Sequence, residues 1–361
     1  MKSLLSIILI LAGLPLYALD KGNSTIALEG DSLLPVRNSY HKNEGMTSRN
    51  EEIAPDLLDA ETDYRTTGNN RRTLVRLLKI LRVKKANWDS RSGARLFSDL
   101  AGVSVKLKLY SLAMKCYYKA EQYKSRAQLP WHQLPLFTGT DAADVDTDNV
   151  NPLSDSSFYD SPPYTAKSEP VKTSDIWESF DDGKAAVSYA LIVHAKQPIS
   201  GKRKSFTHIN NVGHMFITLI KYNEDNTFVS RSFGFYPHKT SILSGTPFHA
   251  NAPSVFKDDA LHDWDEIAGK FISVKRFQKI IELLKRYDHL TYNLNRNNCT
   301  DFGLNVAALG GISISQTRGT SPLGRGNNPA NAGQSMLEGK VRNIDPDYHE
   351  PLFVSSNVLS H

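Results

Sequence analysis

The chain has 361 residues and 40% hydrophobic content, too long for one ordinary core, so two domains joined by looser segments are expected. Its net charge of +5 suits contact with anionic surfaces without selecting one, and gives no ground for specific nucleic-acid binding. A complement of 2 cysteines excludes a disulfide-dense secreted scaffold, so Cys116 and Cys299 are each worth examining.

The chain opens on Lys2, an apolar run from Leu4 to Leu14, a helix-breaking Pro15 and the small Ala18. This is the layout of a secretory signal over residues 1–18, and the run is too short for a comfortable transmembrane anchor. A periplasmic or secreted protein is therefore expected. Residues 19–70 are polar and turn-rich, with the composition of a disordered segment. A helical region follows over 71–126. Leu74, Leu77, Leu78 and Leu81 recur at helical spacing, as do Leu109, Leu112, Ala113, Cys116, Tyr117, Ala120 and Tyr123. Cys116 lies on that second stripe as a core residue, and these helices are a candidate surface for a protein partner. Pro, Ser, Asp and Thr dominate residues 127–175, which read as a linker.

The texture then changes. Residues 187–195 and 215–222 are apolar, β-rich runs, and the second is joined to another over 227–236 by Asn223-Glu224-Asp225-Asn226, a hairpin signature. A strand over 270–275 leads into a helix carrying Phe277, Ile280, Ile281 and Leu284. A last helix starts at Asn298 and ends at Gly310-Gly311; residues 319–333 read as a Gly/Asn/Pro loop. These elements make an α+β domain over 176–345, an antiparallel sheet packed on helices, with 346–361 as a tail.

Chemistry is expected at Asn297-Asn298-Cys299-Thr300-Asp301. Asn298 is a good N-cap, which makes Cys299 the first helical residue, where free N–H groups and the helix dipole favour a thiolate. The thiolate needs a base. His214 follows Gly213 and opens a strand on which Met215, Ile217 and Leu219 share an apolar core face, while His214, Phe216, Thr218 and Ile220 share a mixed one. Other histidines, among them His208, His238, His249 and His262, lack compact metal-ligand spacing, so neither a metal nor a cofactor is expected.

Gly213-His214 at a strand start, Ser232-Phe233-Gly234-Phe235-Tyr236-Pro237 ending its hairpin partner, and Tyr292-Asn293-Leu294 leading into Asn298-Cys299-Thr300-Asp301-Phe302 resemble the circularly permuted branch of the NlpC/P60 papain-like superfamily. In that branch the His-bearing strand precedes the Cys-bearing helix. The resemblance covers about residues 187–338. It implies a papain-like domain in which Cys299 attacks an amide or ester carbonyl and His214 shuttles the proton. It also implies a polar residue on the following strand to orient His214; that strand offers Ser230, Ser232 and Tyr236, of which Ser232 is the choice. An exported cysteine hydrolase or acyltransferase acting on a cell-wall peptide or a lipid substrate is the first reading. A catalytically inactive binding module of the same fold at the cell surface is the second.

Overall fold

The computed structural model describes residues 70–83, 88–124, 167–204, 212–238, 245–246, 249–321, 324–348 and 351–358. The expected signal over 1–18, all but the last residue of the polar segment 19–70, and the linker as far as residue 166 lie outside them.

Three helices come first: α1 (Asn70–Val83), α2 (Ser90–Lys106) and α3 (Tyr110–Lys124). Asp89 caps α2, its carboxylate accepting the N–H groups of Arg91 and Ser92 at 2.9 and 2.8 Å. Their apolar stripes do not close on one another alone. Leu74, Leu78, Leu96, Leu100, Cys116 and Tyr118 share one core with Ile192, Phe216, Ile220, Tyr222 and Phe271, which belong to the sheet that follows. The helices are thus one face of a larger domain rather than a separate region.

That sheet has seven strands: β1 (Glu169–Val171), β2 (Ala186–Lys196), β3 (His214–Asn223), β4 (Phe228–Pro237), β6 (Ser254–Asp258), β7 (Glu266–Ile272) and β13 (Phe353–Ser356), in the order β1-β6-β4-β3-β2-β7-β13. Every neighbouring pair is antiparallel. The 3.6-residue period of the helices meets the two-residue period of the strands in β3. Its even-numbered Phe216, Ile220 and Tyr222 face α1–α3, and its odd-numbered Met215, Ile217 and Leu219 face a second core. Burial on both sides explains why Ala190-Leu191-Ile192-Val193 reads as a continuous apolar run rather than an alternation.

The second core is covered by α4 (Thr173–Glu178), α5 (Val274–Tyr287), α6 (Cys299–Leu309) and α7 (Pro329–Leu337). Phe302 of α6 is its centre, in ring contact with Phe233, Phe235, Phe256 and Tyr287. Short pairings complete the domain: β5 (Asn251–Ala252) with β8 (Tyr292–Asn293), β9 (Ile312–Ile314) with β12 (Val341–Asn343), and β10 (Arg318–Ser321) with β11 (Gly324–Asn327).

Several boundaries differ from the sequence reading. The end of the linker is structured, since β1 pairs with β6 and α4 places Ile176 in the second core. The tail contributes β13, which extends the sheet beside β7 and buries Phe353. Residues 319–333 hold most of a hairpin and the N-terminal half of α7 rather than a loop, so α6 is not the last helix. The local signal was present: Asn328 accepts the Asn331 N–H and Pro329 takes the first helical position. β7 starts at Glu266 and stops before Ser273, which caps α5. Among the described residues no helix is long and apolar enough to cross a membrane.

Candidate active site

Cys299 opens α6 behind a complete capping box. The Asn298 side-chain oxygen accepts the N–H groups of Thr300 and Asp301 at 2.7 and 3.1 Å, and Asp301 accepts the Asn298 N–H at 3.0 Å. Asn298 also donates to the carbonyls of Leu294 and Asn327, at 2.8 and 3.0 Å, so it ties three chain segments together beneath the thiol. Asp301 is engaged twice over, its second oxygen accepting from Asn327 at 2.7 Å. The buried Tyr292 hydroxyl lies beside the Cys299 backbone N–H and thiol.

His214 begins β3. The chain enters through Gly213 at φ +74°, where a Cβ would stand 2.5 Å from the Lys196 carbonyl; no residue with a side chain would be comfortable there. The imidazole is buried beside Tyr236, with ring centroids 4.2 Å apart, and its Nε2 lies 3.0 Å from Asp259 Oδ2. With Nε2 so engaged, Nδ1 is the nitrogen left for the Cys299 thiol, which is close enough to shift the ring's pKa and be shifted by it.

Asp259 follows β6, and β4 lies between β6 and β3. The carboxylate crosses β4 over Gly234, where a Cβ would stand 2.3 Å from His214 Nε2 and 2.4 Å from Asp259 Oδ2. Its other oxygen accepts hydroxyls from Ser168 at 2.6 Å and Tyr236 at 2.7 Å, while its N–H donates to the Ser232 carbonyl at 2.9 Å. Each carboxylate oxygen is therefore satisfied in a site shielded from water.

The electrostatics follow from this arrangement. Burial disfavours the charged imidazole, but the Asp259 carboxylate and the Cys299 thiolate outweigh it and raise His214 from 6.5 to about 9. Burial likewise pushes the thiol up, and the His214 hydrogen bond and charge, with the Met215 N–H and Thr300, bring it below its ordinary value. For Asp259, too, burial is overcome by His214, and the carboxyl stays below the usual range. Both shifts favour the ion pair, a thiolate beside an imidazolium, over the neutral pair. A second buried histidine makes the contrast: His194 bonds the Thr218 hydroxyl at 2.8 Å instead of a carboxylate, and burial outweighs the charge of Asp259 and drives it down to about 3.

Of the residues singled out in the sequence, the structure brings Cys299, His214 and Asn298 together. Ser232 is not on His214. Thr218 lies opposite Ser232 in the β3–β4 register, four residues along β3 from His214, and their hydroxyls bond at 2.7 Å. The group that orients His214 is Asp259, from the next strand but one. Tyr292, within the motif that precedes Asn298, has its hydroxyl beside the Cys299 N–H. One sequence signal pointed to Asp259: a glycine inside a strand, which marks a close approach of other atoms. Among the described residues no group of three or more His, Cys, Asp or Glu side chains is arranged to hold a metal ion. No protein-family model matches this chain, and no curated protein or solved structure matches it significantly.

Proposed function

We propose that this chain is a thiol hydrolase or acyltransferase of the permuted papain-like type, with Cys299 as nucleophile, His214 as proton carrier and Asp259 as the residue that orients His214. The supporting observation is the imidazole held between the Asp259 carboxylate and a thiol at the N-terminus of α6. The order of the elements, His-bearing strand before Cys-bearing helix, supports the same family reading.

In this mechanism the Cys299 thiolate attacks the carbonyl carbon of an amide or ester, and the carbonyl electron pair moves onto oxygen. The Tyr292 hydroxyl, beside the Cys299 N–H, is the donor for that oxygen. Collapse of the tetrahedral adduct breaks the bond to the amine or alcohol, which takes its proton from the His214 imidazolium. The thioester on Cys299 then accepts water or another nucleophile, deprotonated by His214, and the acid or transferred product leaves. The signal-like residues 1–18 are the ground for placing this activity in the periplasm or outside the cell, where cell-wall peptides and lipid acyl groups are the substrate classes.

The test is alkylation by iodoacetamide at pH 7, read at Cys299 by peptide mass mapping. Fast labelling in the wild type and a large loss in His214→Ala are expected. Equal labelling of the two proteins removes the thiolate–imidazolium pair, and with it the enzyme reading, in favour of a binding module. A panel of wall fragments and lipid esters then distinguishes the substrates.

A further inference from the structure

One side chain of the helical layer, Lys108, bonds directly to the loop that carries Asp259. Lys108 sits in the turn between α2 and α3 at φ 63°, a left-handed conformation that costs lysine more than glycine or asparagine. Its Nζ donates to the Leu261 carbonyl and stands 3.1 Å from Asp263 Oδ1. Both acceptors belong to the short loop that starts at Asp259. The near end of that loop is fixed to β4 by the Asp259 N–H on Ser232, and it is folded back by the His262 N–H on the Asp259 carbonyl at 2.9 Å. Its far end is fixed by the Asp265 N–H on the Ala195 carbonyl at 2.9 Å, and Lys108 holds the stretch between.

We propose that Lys108 is a positioning residue for the site: it clamps the 259–263 loop so that Asp259 stays in bonding distance of His214. The proposal rests on the Cys299–His214–Asp259 reading above. A long ammonium side chain at a backbone position that favours short residues argues that it is there for its reach. The Lys108 side chain is 15% exposed, so the bond to Leu261 is shielded, whereas Asp263 is 58% exposed and its ion pair is the weaker half of the clamp. Orientation at such sites must hold to about 0.5 Å, and loop carboxylates need outside support to meet that. The α2–α3 turn supplies it, which makes the helical layer part of the catalytic unit.

Lys108→Asn separates this role from plain packing, because asparagine suits the left-handed turn and cannot reach the loop. The readout is the rate of Cys299 alkylation by iodoacetamide between pH 5 and 10, beside a thermal melt. The groups facing His214 are Asp259, Cys299, Tyr236 and His262, and of these Asp259 and His262 belong to the loop that is released in this variant. Expected are a fall of about tenfold at pH 7, typical for loss of an outer supporting contact, and a downward move of the alkaline limb. Lys108→Arg restores both. Asp263→Asn, on an exposed side chain that does not threaten folding, shifts the profile in the same direction by less. A wild-type rate and profile in Lys108→Asn, or a lower melting temperature with an unchanged profile, overturns the proposal. If wild-type Cys299 labels no faster than in His214→Ala, the underlying thiolate–imidazolium reading fails instead, and the clamp has no site to position.

Discussion

Asp259 Oδ2 lies 3.0 Å from His214 Nε2 although the two residues are 45 apart in the chain and a whole strand runs between them. The contact exists because that strand carries Gly234 at the crossing point. It gives the imidazole a fixed orientation and a reason to stay protonated above neutrality, two properties that the neutral, hydroxyl-bonded His194 lacks.

Replacing the carboxylate tests its electrostatic part. In Asp259→Asn the shape is kept and the charge lost, so Cys299 alkylation at pH 7 falls by about a hundredfold. The alkaline limb also moves from near 9 toward the ordinary imidazole value of 6.5. Stability has the same sign. His214 is raised on folding, so its contribution is complete below about 6.5 and is lost as pH rises through about 9. The melting-temperature gap between wild type and Asp259→Asn is therefore several degrees at pH 6 and narrows by pH 10. A gap that widens with pH contradicts the argument.

Tyr292→Phe separates attack from oxyanion stabilisation. The ring stays in its buried place and only the hydroxyl beside the Cys299 N–H is lost. Hydrolysis of an activated ester is expected to drop by about a hundredfold, whereas alkylation, which forms no oxyanion, changes much less. Parallel losses in both assays would remove Tyr292 from that role.

Gly234→Ala inserts a methyl group between His214 and Asp259, where it has no room. Thiolate reactivity in this variant falls to the level of His214→Ala. Gly102 in α2 is the control, because a Cβ there meets nothing within 4 Å. Gly102→Ala leaves reactivity intact and stabilises the helix by about 0.5–1 kcal/mol, read as a small rise in melting temperature.

Removing the helical layer tests whether it is a separate region. A chain that starts at residue 167 bares Ile192, Phe216, Ile220, Tyr222 and Phe271 on one sheet face. Such a surface favours aggregation and dye binding over a cooperative melt. A monomeric truncated protein with a sharp thermal transition would restore the two-domain division expected from composition.

Features carried by short stretches were legible in the sequence. Asn298 as cap and Cys299 as first helical residue follow from neighbouring side chains and free backbone N–H groups. The β3–β4 hairpin follows from turn residues between apolar runs, and the helices near residues 74–81 and 109–123 follow from their stripes. Ser232 was a reasonable choice on the adjacent strand, but one register decides which residue lies opposite His214, and that residue is not Ser232.

Local runs of residues were thus enough for the β3–β4 hairpin, the main helical stripes, the α+β class and the setting of the thiol, because helix caps, periodicity and turns are governed by residues within a few positions of one another. Tertiary structure alone decided that β1 and β13 join the sheet edges, that α1–α3 cover one face, and that Asp259 reaches His214 across Gly234. Those relations depend on which strands become neighbours and on burial that removes competing water. Neither quantity is written in any local run of residues.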